Sequence, residues 1–193
     1  GIKPTPSIGG VGLIKDYKKM VSMDFKEVGN LVLVLGKTEG HVDQSLFARI
    51  ILNEKNGPPP EINLFNEKNN GESLLNLIHK DYIKSAHDIS IGGILIAISK
   101  MCIKGNKGIK LEKSKNLMND IEYFFAEDQG RYIVEINQKN FKEVSKILDK
   151  NSVHHEKLGV IVEKDLIINN KTKITIDELK AYNSNWLINY MSS

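Results

Sequence analysis

Two short stretches combine residue types that could do chemistry. The first, residues 85–94, reads SAHDISIGGI. His87, Asp88 and Ser90 bring an imidazole, a carboxylate and a hydroxyl together, and Gly92 and Gly93 follow where the backbone must turn or be approached closely. Polar groups between a strand end and a helix start lie where α/β proteins usually meet ligands. A structural turn with Asp88 as a cap is the alternative, and spacing alone does not choose between them.

The second stretch, residues 125–132, reads FAEDQGRY. Glu127, Asp128 and Gln129 stand at a turn broken by Gly130, and Arg131 follows. Acids, an amide and a guanidinium this close together can bind a ribose, an amide or a hydrated cation. A surface hairpin turn has the same composition, and the residues alone favour that simpler interpretation.

Apolar patterns predict the elements that position these groups. A buried strand is expected at residues 31–35, ended by Gly36, and another at residues 83–86 before an apolar helix at 94–102. A strand is expected in the second half of residues 121–136, and an amphipathic helix at 141–150.

Other elements are assigned from capping residues and turns. Asp43 is expected to cap a helix from Gln44 to about Lys55, with Leu46, Ile50 and Ile51 as its apolar stripe. Further predictions are a helix capped by Ser73, a polar loop with short regular pieces at 105–119, two strands around Asn169 and Asn170, and a last helix opened by Asp177. This mixture predicts an α+β fold with helices packed on a sheet.

Composition narrows the possible functions. The chain has 193 residues, a formal net charge of +3 and 26% charged residues, which is ordinary for a globular domain. The lysines are spread along the chain and only Arg49 and Arg131 carry guanidinium groups, so no nucleic-acid partner is expected. No apolar run approaches the about 20 residues that a membrane span needs. The single cysteine, Cys102, excludes disulfides and a thiolate metal cage within the chain and fits a cytoplasmic protein.

The amino-terminal stretch is rich in glycine and apolar residues. Residues 5–14 read TPSIGGVGLI but lack the Gly-Lys-Ser/Thr of a phosphate loop, so a linker or an edge strand is expected. Val11, Leu13 and Ile14 fit a strand added to the edge of another sheet. The chain opens without methionine, and we expect residues 1–24 to be a linker or edge segment from a missing upstream domain.

Four stretches, in order, resemble the carboxyl-terminal domain of the aminoimidazole ribonucleotide synthase superfamily. They are TPSIGGVGL at 5–13, SAHDISIGG at 85–93, FAEDQGRY at 125–132, and the ending from Ile176 to Trp186. Within that superfamily they most resemble the last domain of the phosphoribosylformylglycinamidine synthase large-subunit family. The resemblance covers nearly the whole chain and implies a mixed, largely antiparallel sheet with packed helices over residues 25–193.

The resemblance implies an activity for the full-length polypeptide. Members of that family are ligases of purine biosynthesis that use ATP and magnesium to amidate formylglycinamide ribonucleotide with ammonia from glutamine. Their partners are a glutaminase subunit and a small accessory subunit, besides the upstream domains of the same polypeptide. The catalytic histidine lies in those upstream domains, so no catalytic residue is expected in this chain, which should be inactive alone and hold no tightly bound cofactor.

The resemblance also implies a binding role for the two motifs. By analogy with the earlier copy of this domain in the family, they would line an auxiliary nucleotide cleft that is structural rather than catalytic, with Asp88 near magnesium. The residues are His87, Asp88, Ser90, Gly92, Gly93, Glu127, Asp128, Gln129 and Arg131. Two departures weaken this expectation: Ile91 replaces a second Asp, and Asp43 replaces a glycine.

Two alternatives stay open at this point. The domain could be purely architectural, with the motif residues only holding turns. It could also belong to another member of the superfamily, such as the ring-closing synthase or a hydrogenase-maturation relative.

Overall fold

The computed structural model describes residues 7–113 and 118–192. Thr5 and Pro6 of the amino-terminal motif, and residues 114–117 of the expected polar loop, lie outside this part of the chain. No helix in the described ranges is both long enough and apolar enough to cross a membrane.

One seven-stranded sheet forms the centre of the fold, with the spatial order β2-β4-β1-β5-β3-β6-β7. Among the described residues, five of its neighbouring pairs are antiparallel and only β3 and β6 run parallel, which confirms the mixed, largely antiparallel sheet that the family resemblance implies. The strands are β1 Leu31–Leu35, β2 Ile83–Asp88, β3 Gly108–Leu111, β4 Tyr132–Ile136, β5 His155–Val162, β6 Leu166–Ile168 and β7 Thr172–Ile174. The helices are α1 Leu46–Ile50, α2 Leu64–His79, α3 Gly93–Gly105, α4 Asp120–Phe125, α5 Phe141–Lys150 and α6 Ile176–Met191.

The central strand β1 separates two apolar cores. Because side chains alternate along a strand, Val32 and Val34 face one side of the sheet and Leu31, Leu33 and Leu35 face the other. The first core is completed by α3, α4 and the start of α6, and the second by α2 and α5. All five β1 side chains are buried, which explains why this strand is continuously apolar.

The first helix is much shorter than its apolar residues predict. Asp43 is wrong as its cap, because the hydroxyl of Ser45 accepts the N–H of Ala48 at 3.1 Å and the helix ends at Ile50. Gln44 has a φ of 60°, a left-handed conformation that no helix continues. Of the expected stripe, Ile50 is exposed, whereas Ala48 is buried.

Two other predicted helix starts also differ from the structure. Helix α2 begins ten residues earlier than a Ser73 cap allows, because the Asn63 side chain caps it by accepting the N–H of Asn66. Ser73 lies buried inside α2 and accepts a hydrogen bond from Asn151. At the carboxyl end, α6 begins at Ile176, one residue before the expected Asp177, and Thr175 caps it.

Candidate functional site

The two motif stretches meet at one end of the sheet. Strand β4 lies between β1 and β2, and its first residue, Tyr132, pairs with the last residue of each, Leu35 and Asp88. The acidic turn that precedes Tyr132 therefore lies at the same end as Asp88. The N–H of Ile89 donates to the carbonyl of Arg131 at 2.9 Å, which continues the pairing past the end of β2.

Asp128 organises the loop that follows β1. Its carboxylate accepts backbone N–H groups from Glu39, Gly40 and His41 at 2.9 to 3.1 Å. Three amide donors on one carboxylate are typical of a preformed anion nest, and here the anion is part of the protein itself. Asp128 is buried, so its charge is used to hold the loop rather than offered to a ligand.

Arg131 supports this turn from inside the protein. Its guanidinium donates to the carbonyl of Ala126 at 2.7 Å and to the hydroxyl of Thr38 at 3.0 Å. One nitrogen lies 3.7 Å from the Asp128 carboxylate. Burial lowers the pKa of Arg131, and the neighbouring Asp128 carboxylate opposes that shift. Since the side chain is only 1% exposed, it cannot contact a ligand at the surface.

Glu127 ties the acidic turn to the glycine pair. One oxygen of its carboxylate accepts the N–H of Leu46 at 2.7 Å and the N–H of Gly92 at 2.8 Å. Its own N–H donates to the carbonyl of His41 at 3.0 Å. A single side chain thus fixes the starts of α1 and α3 relative to β4, and the two motifs are brought together through Glu127.

Gly92 and Gly93 are required by the backbone. Their φ values are 84° and 67°, in the region that favours glycine. A Cβ on Gly93 would lie 2.7 Å from the carbonyl oxygens of Phe124 and Ala126, so the helix α3 approaches α4 too closely for any side chain. Ser90 is exposed, and its carbonyl accepts the N–H of Gly93.

His87 and Asp88 are adjacent but face different surroundings. The Nδ1 atom of His87 lies 3.1 Å from the Asp88 carboxylate, while its Nε2 is buried and has no hydrogen-bond partner among the described residues. The Asp88 side chain is 63% exposed. Partial burial and then the carboxylates of Glu67 and Asp88 raise the pKa of Tyr132.

A cavity of about 870 Å³ opens beside the acidic turn. It lies between the loop after β1, the start of α2 and residues 128–130. Of the nine predicted site residues, Asp128 and Gln129 line it, and Gln129 is exposed there. The other polar side chains of the lining are Lys37, Glu39, His41, Glu61, Asn63, Asn66, Glu67 and Asn70.

These lining residues were missed by the sequence analysis. Lys37 and Glu39 stand directly after a buried strand and Gly36, which is the signal that pointed to Asp88 on another strand. The lining residues of α2 carry no such signal, because the sequence predicts the start of that helix at Ser73, after all of them. Carboxylates and amides dominate the lining, so it suits hydroxyl and amide groups better than a bare polyphosphate.

The residues present do not make a magnesium centre by themselves. Asp88 supplies one exposed carboxylate, and no group of three or more possible ligands occurs in the described ranges. Magnesium is usually held by one or two carboxylates together with phosphate oxygens and water. Of the departures from the family pattern, Ile91 is exposed and the Asp43 side chain lies against Gly57.

The fold and the paired motifs agree with a match to a protein family. Residues 27–169 match the model of the AIR synthase related protein, C-terminal domain. The chain therefore belongs to the family of AIR synthase related proteins, and it comprises their carboxyl-terminal domain.

Curated relatives define the class more narrowly. The phosphoribosylformylglycinamidine synthase subunit PurL of Pelagibacter ubique (strain HTCC1062) is 65% identical over 193 residues, which is all of this chain and 26% of that protein. The protein of the same name from Bartonella henselae is 35% identical over 190 residues, 98% of this chain and 26% of that protein. The chain thus spans about a quarter of the length of the curated relatives it matches.

Solved structures share the fold. A structure of Thermotoga maritima PurL complexed with FGAR superposes with a TM-score of 0.72 at 19% identity, over 84% of this chain and 29% of that one. The hydrogenase maturation protein HypE of E. coli gives a TM-score of 0.56 at 16% identity, over 78% of this chain and 50% of that one. At these identities the likeness establishes the fold alone.

Proposed function

We propose that this chain is the carboxyl-terminal domain of a phosphoribosylformylglycinamidine synthase large subunit. The full-length polypeptide would amidate formylglycinamide ribonucleotide in de novo purine biosynthesis, using ATP and glutamine, as a cytoplasmic enzyme. The observation that carries this proposal is the 65% identity to a PurL protein over every residue of the chain. The hydrogenase-maturation alternative has a shared fold in its favour, and the ring-closing alternative has the match to the same domain family.

The chemistry of such a ligase explains why ATP is needed. An amide oxygen is a poor leaving group, so the substrate amide oxygen first takes the γ-phosphoryl group of ATP and ADP leaves. Ammonia released from glutamine then adds to the activated carbon, and inorganic phosphate departs with the original oxygen. Magnesium would come with the nucleotide, since the described residues contain no cluster of three or more candidate metal ligands.

We infer a domain organisation in which residues 1–24 connect an upstream domain to a compact domain at 25–193. Phe25 is the first buried residue from position 7 onward. Before it, Ile8, Val11 and Leu13 are almost fully exposed. The upstream domains of the same polypeptide, a glutaminase subunit and a small accessory subunit are the proposed partners.

We further propose that Asp88 and Gln129 edge an auxiliary nucleotide cleft with a structural role. The cavity beside Gln129 has room for a nucleoside, and its carboxylates and amides suit ribose hydroxyls and a base. Five other predicted residues would act indirectly, because their internal hydrogen bonds fix the walls of the cleft; they are Gly92, Gly93, Glu127, Asp128 and Arg131. His87 and Ser90 would belong to the rim beside Asp88.

One experiment tests the activity. The full-length polypeptide, supplied with formylglycinamide ribonucleotide, ATP, magnesium and ammonium ions, should release phosphate and form the amidine product. Formylglycinamidine ribonucleotide, the substrate of the ring-closing reaction, serves as the control substrate. Turnover of the control substrate alone would contradict the proposal and favour the ring-closing synthase.

A second experiment tests the cleft. In the full-length polypeptide, Asp88→Asn and Gln129→Ala should lower thermal stability or assembly more than turnover, and should weaken ADP binding measured by calorimetry. Glu163→Gln, an exposed carboxylate in the turn after β5, is the matched control. A folded Asp88→Asn variant with collapsed turnover would contradict a structural role.

A purely architectural domain is the second candidate, and one observation favours it. The most specific motif residues form hydrogen bonds with backbone groups and one hydroxyl of the same chain; these residues are Glu127, Asp128 and Arg131. Unchanged ADP affinity in both cleft variants would select this candidate.

A further inference from the structure

Among the described residues, the last helix contacts the domain near its start. Thr175 and Glu178 form a capping box, Ile176 is buried, and Leu179 packs on the first core. Lys180 donates to the Asn106 side chain at 2.6 Å. From residue 181 to 192 every residue is exposed, so about three turns of α6 project from the domain.

This projecting part is uncharged and largely apolar. Residues 181–191 read AYNSNWLINYM and contain no acidic or basic side chain, although 26% of the whole chain is charged. Tyr182 and Trp186 are one helical turn apart and are 80% and 62% exposed. Leu187 lies about 100° further round the helix from Trp186 and widens this apolar surface, which we call the α6 face.

A helix of this composition does not persist in water by itself. Asparagine, tyrosine, tryptophan and isoleucine are all weaker helix formers than alanine, and most helical stability in proteins comes from packing of an apolar side. Contiguous exposed apolar surface marks a contact site. The α6 face is therefore expected to be covered in the native protein.

The composition of the α6 face indicates that its binding partner is a protein surface rather than a membrane or a nucleic acid. Helices that lie on membranes carry lysine or arginine on their polar side, and residues 181–191 have neither. The absence of charge also removes the electrostatic contribution on which nucleic-acid binding depends. An apolar protein surface satisfies both observations.

The path of the chain indicates which protein surface covers the α6 face. The backbone of Phe25 packs against Gly105, and Lys180 contacts the next residue, Asn106. Phe25 and the start of α6 therefore lie beside the same end of α3, and the chain before Phe25 runs past edge strand β2 to Lys19, which pairs with Asp81. Curated relatives extend far beyond this region, since the chain is 26% of their length. A domain tethered through the amino-terminal segment would be present at high effective concentration near α6.

We propose that the α6 face docks on the domain that precedes this one in the full-length polypeptide. The inference rests on the proposed domain organisation and adds to it a specific contact between α6 and the upstream domain. That contact buries Tyr182, Trp186 and Leu187, and it fixes the orientation of the two domains on either side of the linker.

Photo-cross-linking of the full-length polypeptide tests the contact. A benzophenone amino acid replaces Trp186 in one variant and Ser184, on the opposite side of α6, in the control variant. The expected result is an intrachain cross-link from position 186 to residues upstream of Gly1, independent of protein concentration and at least tenfold weaker from position 184. Cross-links from 186 only to a second copy, only to another subunit, or to nothing would overturn the proposal.

Hydrogen exchange gives a second readout that does not depend on cross-linking chemistry. Amides of residues 182–190 should exchange at least tenfold more slowly in the full-length polypeptide than in its Trp186→Asp variant, while Ser184→Asp leaves them protected. Equal exchange in all three proteins would overturn the proposal. Neither measurement uses the amidation reaction, so a failed activity assay with an intact cross-link would refute the proposed function and leave the docking in place.

Discussion

Glu135 shows how a single buried side chain holds a distant segment of this domain. Its carboxylate is fully buried and accepts the N–H groups of Lys26 and Glu27, the Asn30 amide and the Ser85 hydroxyl, all at 2.7 to 3.0 Å. Four donors use both oxygens, so the charge is compensated by hydrogen bonds.

Glu135→Gln should destabilise the domain although it preserves the shape of the side chain. The new NH₂ group would face two donors, and the one carboxylate oxygen that it replaces leaves those two donors without an acceptor. We expect the free energy of unfolding to fall by about 2 to 3 kcal/mol in urea denaturation. Glu72→Gln, on the exposed side of α2, is the control, and equal unfolding of the two variants would show that the four hydrogen bonds add nothing.

The sequence predicts the types of the site residues better than their contacts. The residues from Glu127 to Arg131 form a turn, as their composition indicates, but the expected surface hairpin is wrong, because the turn joins helix α4 to β4 and buries Asp128 and Arg131. Glu127, however, binds backbone groups 81 residues and 35 residues away along the chain. Such long-range pairing depends on how the sheet is ordered, which local patterns do not encode.

Helix α3 depends on the close approach that Gly93 allows. Gly93→Ala would combine a positive φ with contacts of 2.7 Å to two backbone oxygens, which a rigid backbone cannot relieve. We expect a loss of about 2 to 3 kcal/mol in thermal or urea unfolding. Gly71→Ala in α2 is the control, because its Cβ would meet only the Tyr132 hydroxyl at 3.5 Å and alanine favours a helix. A Gly93→Ala variant as stable as Gly71→Ala would contradict this account.

The capping box of α6 should make its first turn sensitive to acid. Hydrogen bonds from the Thr175 hydroxyl and then from its backbone N–H lower the pKa of Glu178. Protonation is therefore harder in the folded cap than in the unfolded chain. The stabilisation is complete above the ordinary carboxyl pKa and is lost as the pH falls through the lower folded value.

NMR protection factors for the amides of Glu178 and Leu179 measure this effect. They should decrease between pH 6 and about 3 in the native sequence. In Glu178→Gln, which retains a weaker capping box without the titrating group, the decrease should be smaller. An identical decrease in both proteins would assign the acid sensitivity to other groups.

Elements were predictable where burial and periodicity agree. Strand β1, the amphipathic α5 and the β6–β7 hairpin at Asn169 and Asn170 follow their local patterns. Helix α1 does not, because Gln44 and the Ser45 cap are fixed by contacts with the acidic turn and with residues around Gly57. Exposed isoleucines at 50 and 51 imitate a helix stripe that faces no core within the described chain.

At the scale of the whole molecule, residues 7–14 are exposed throughout, whereas the chain from about residue 19 onward is built into the fold. Ile8, Val11 and Leu13 are each more than 90% exposed. In contrast, Lys19 pairs with Asp81, Val21 packs on the second core, and the carbonyl of Ser22 accepts the N–H of Ala86 on edge strand β2. Residues on the amino-terminal side of the proposed boundary at residue 24 are therefore attached to the domain as well.

Two truncations of the 193-residue chain separate these parts. Deletion of residues 1–14 should change the free energy of unfolding by less than about 0.5 kcal/mol, because it removes no buried side chain from the described part of the chain. Deletion of residues 1–30 should cost at least about 3 kcal/mol, because it removes the fully buried Phe25 and three of the four donors to Glu135. Urea denaturation followed by circular dichroism measures both. If the shorter deletion were as damaging as the longer one, the apolar residues before position 15 would pack on this domain instead of serving a neighbour.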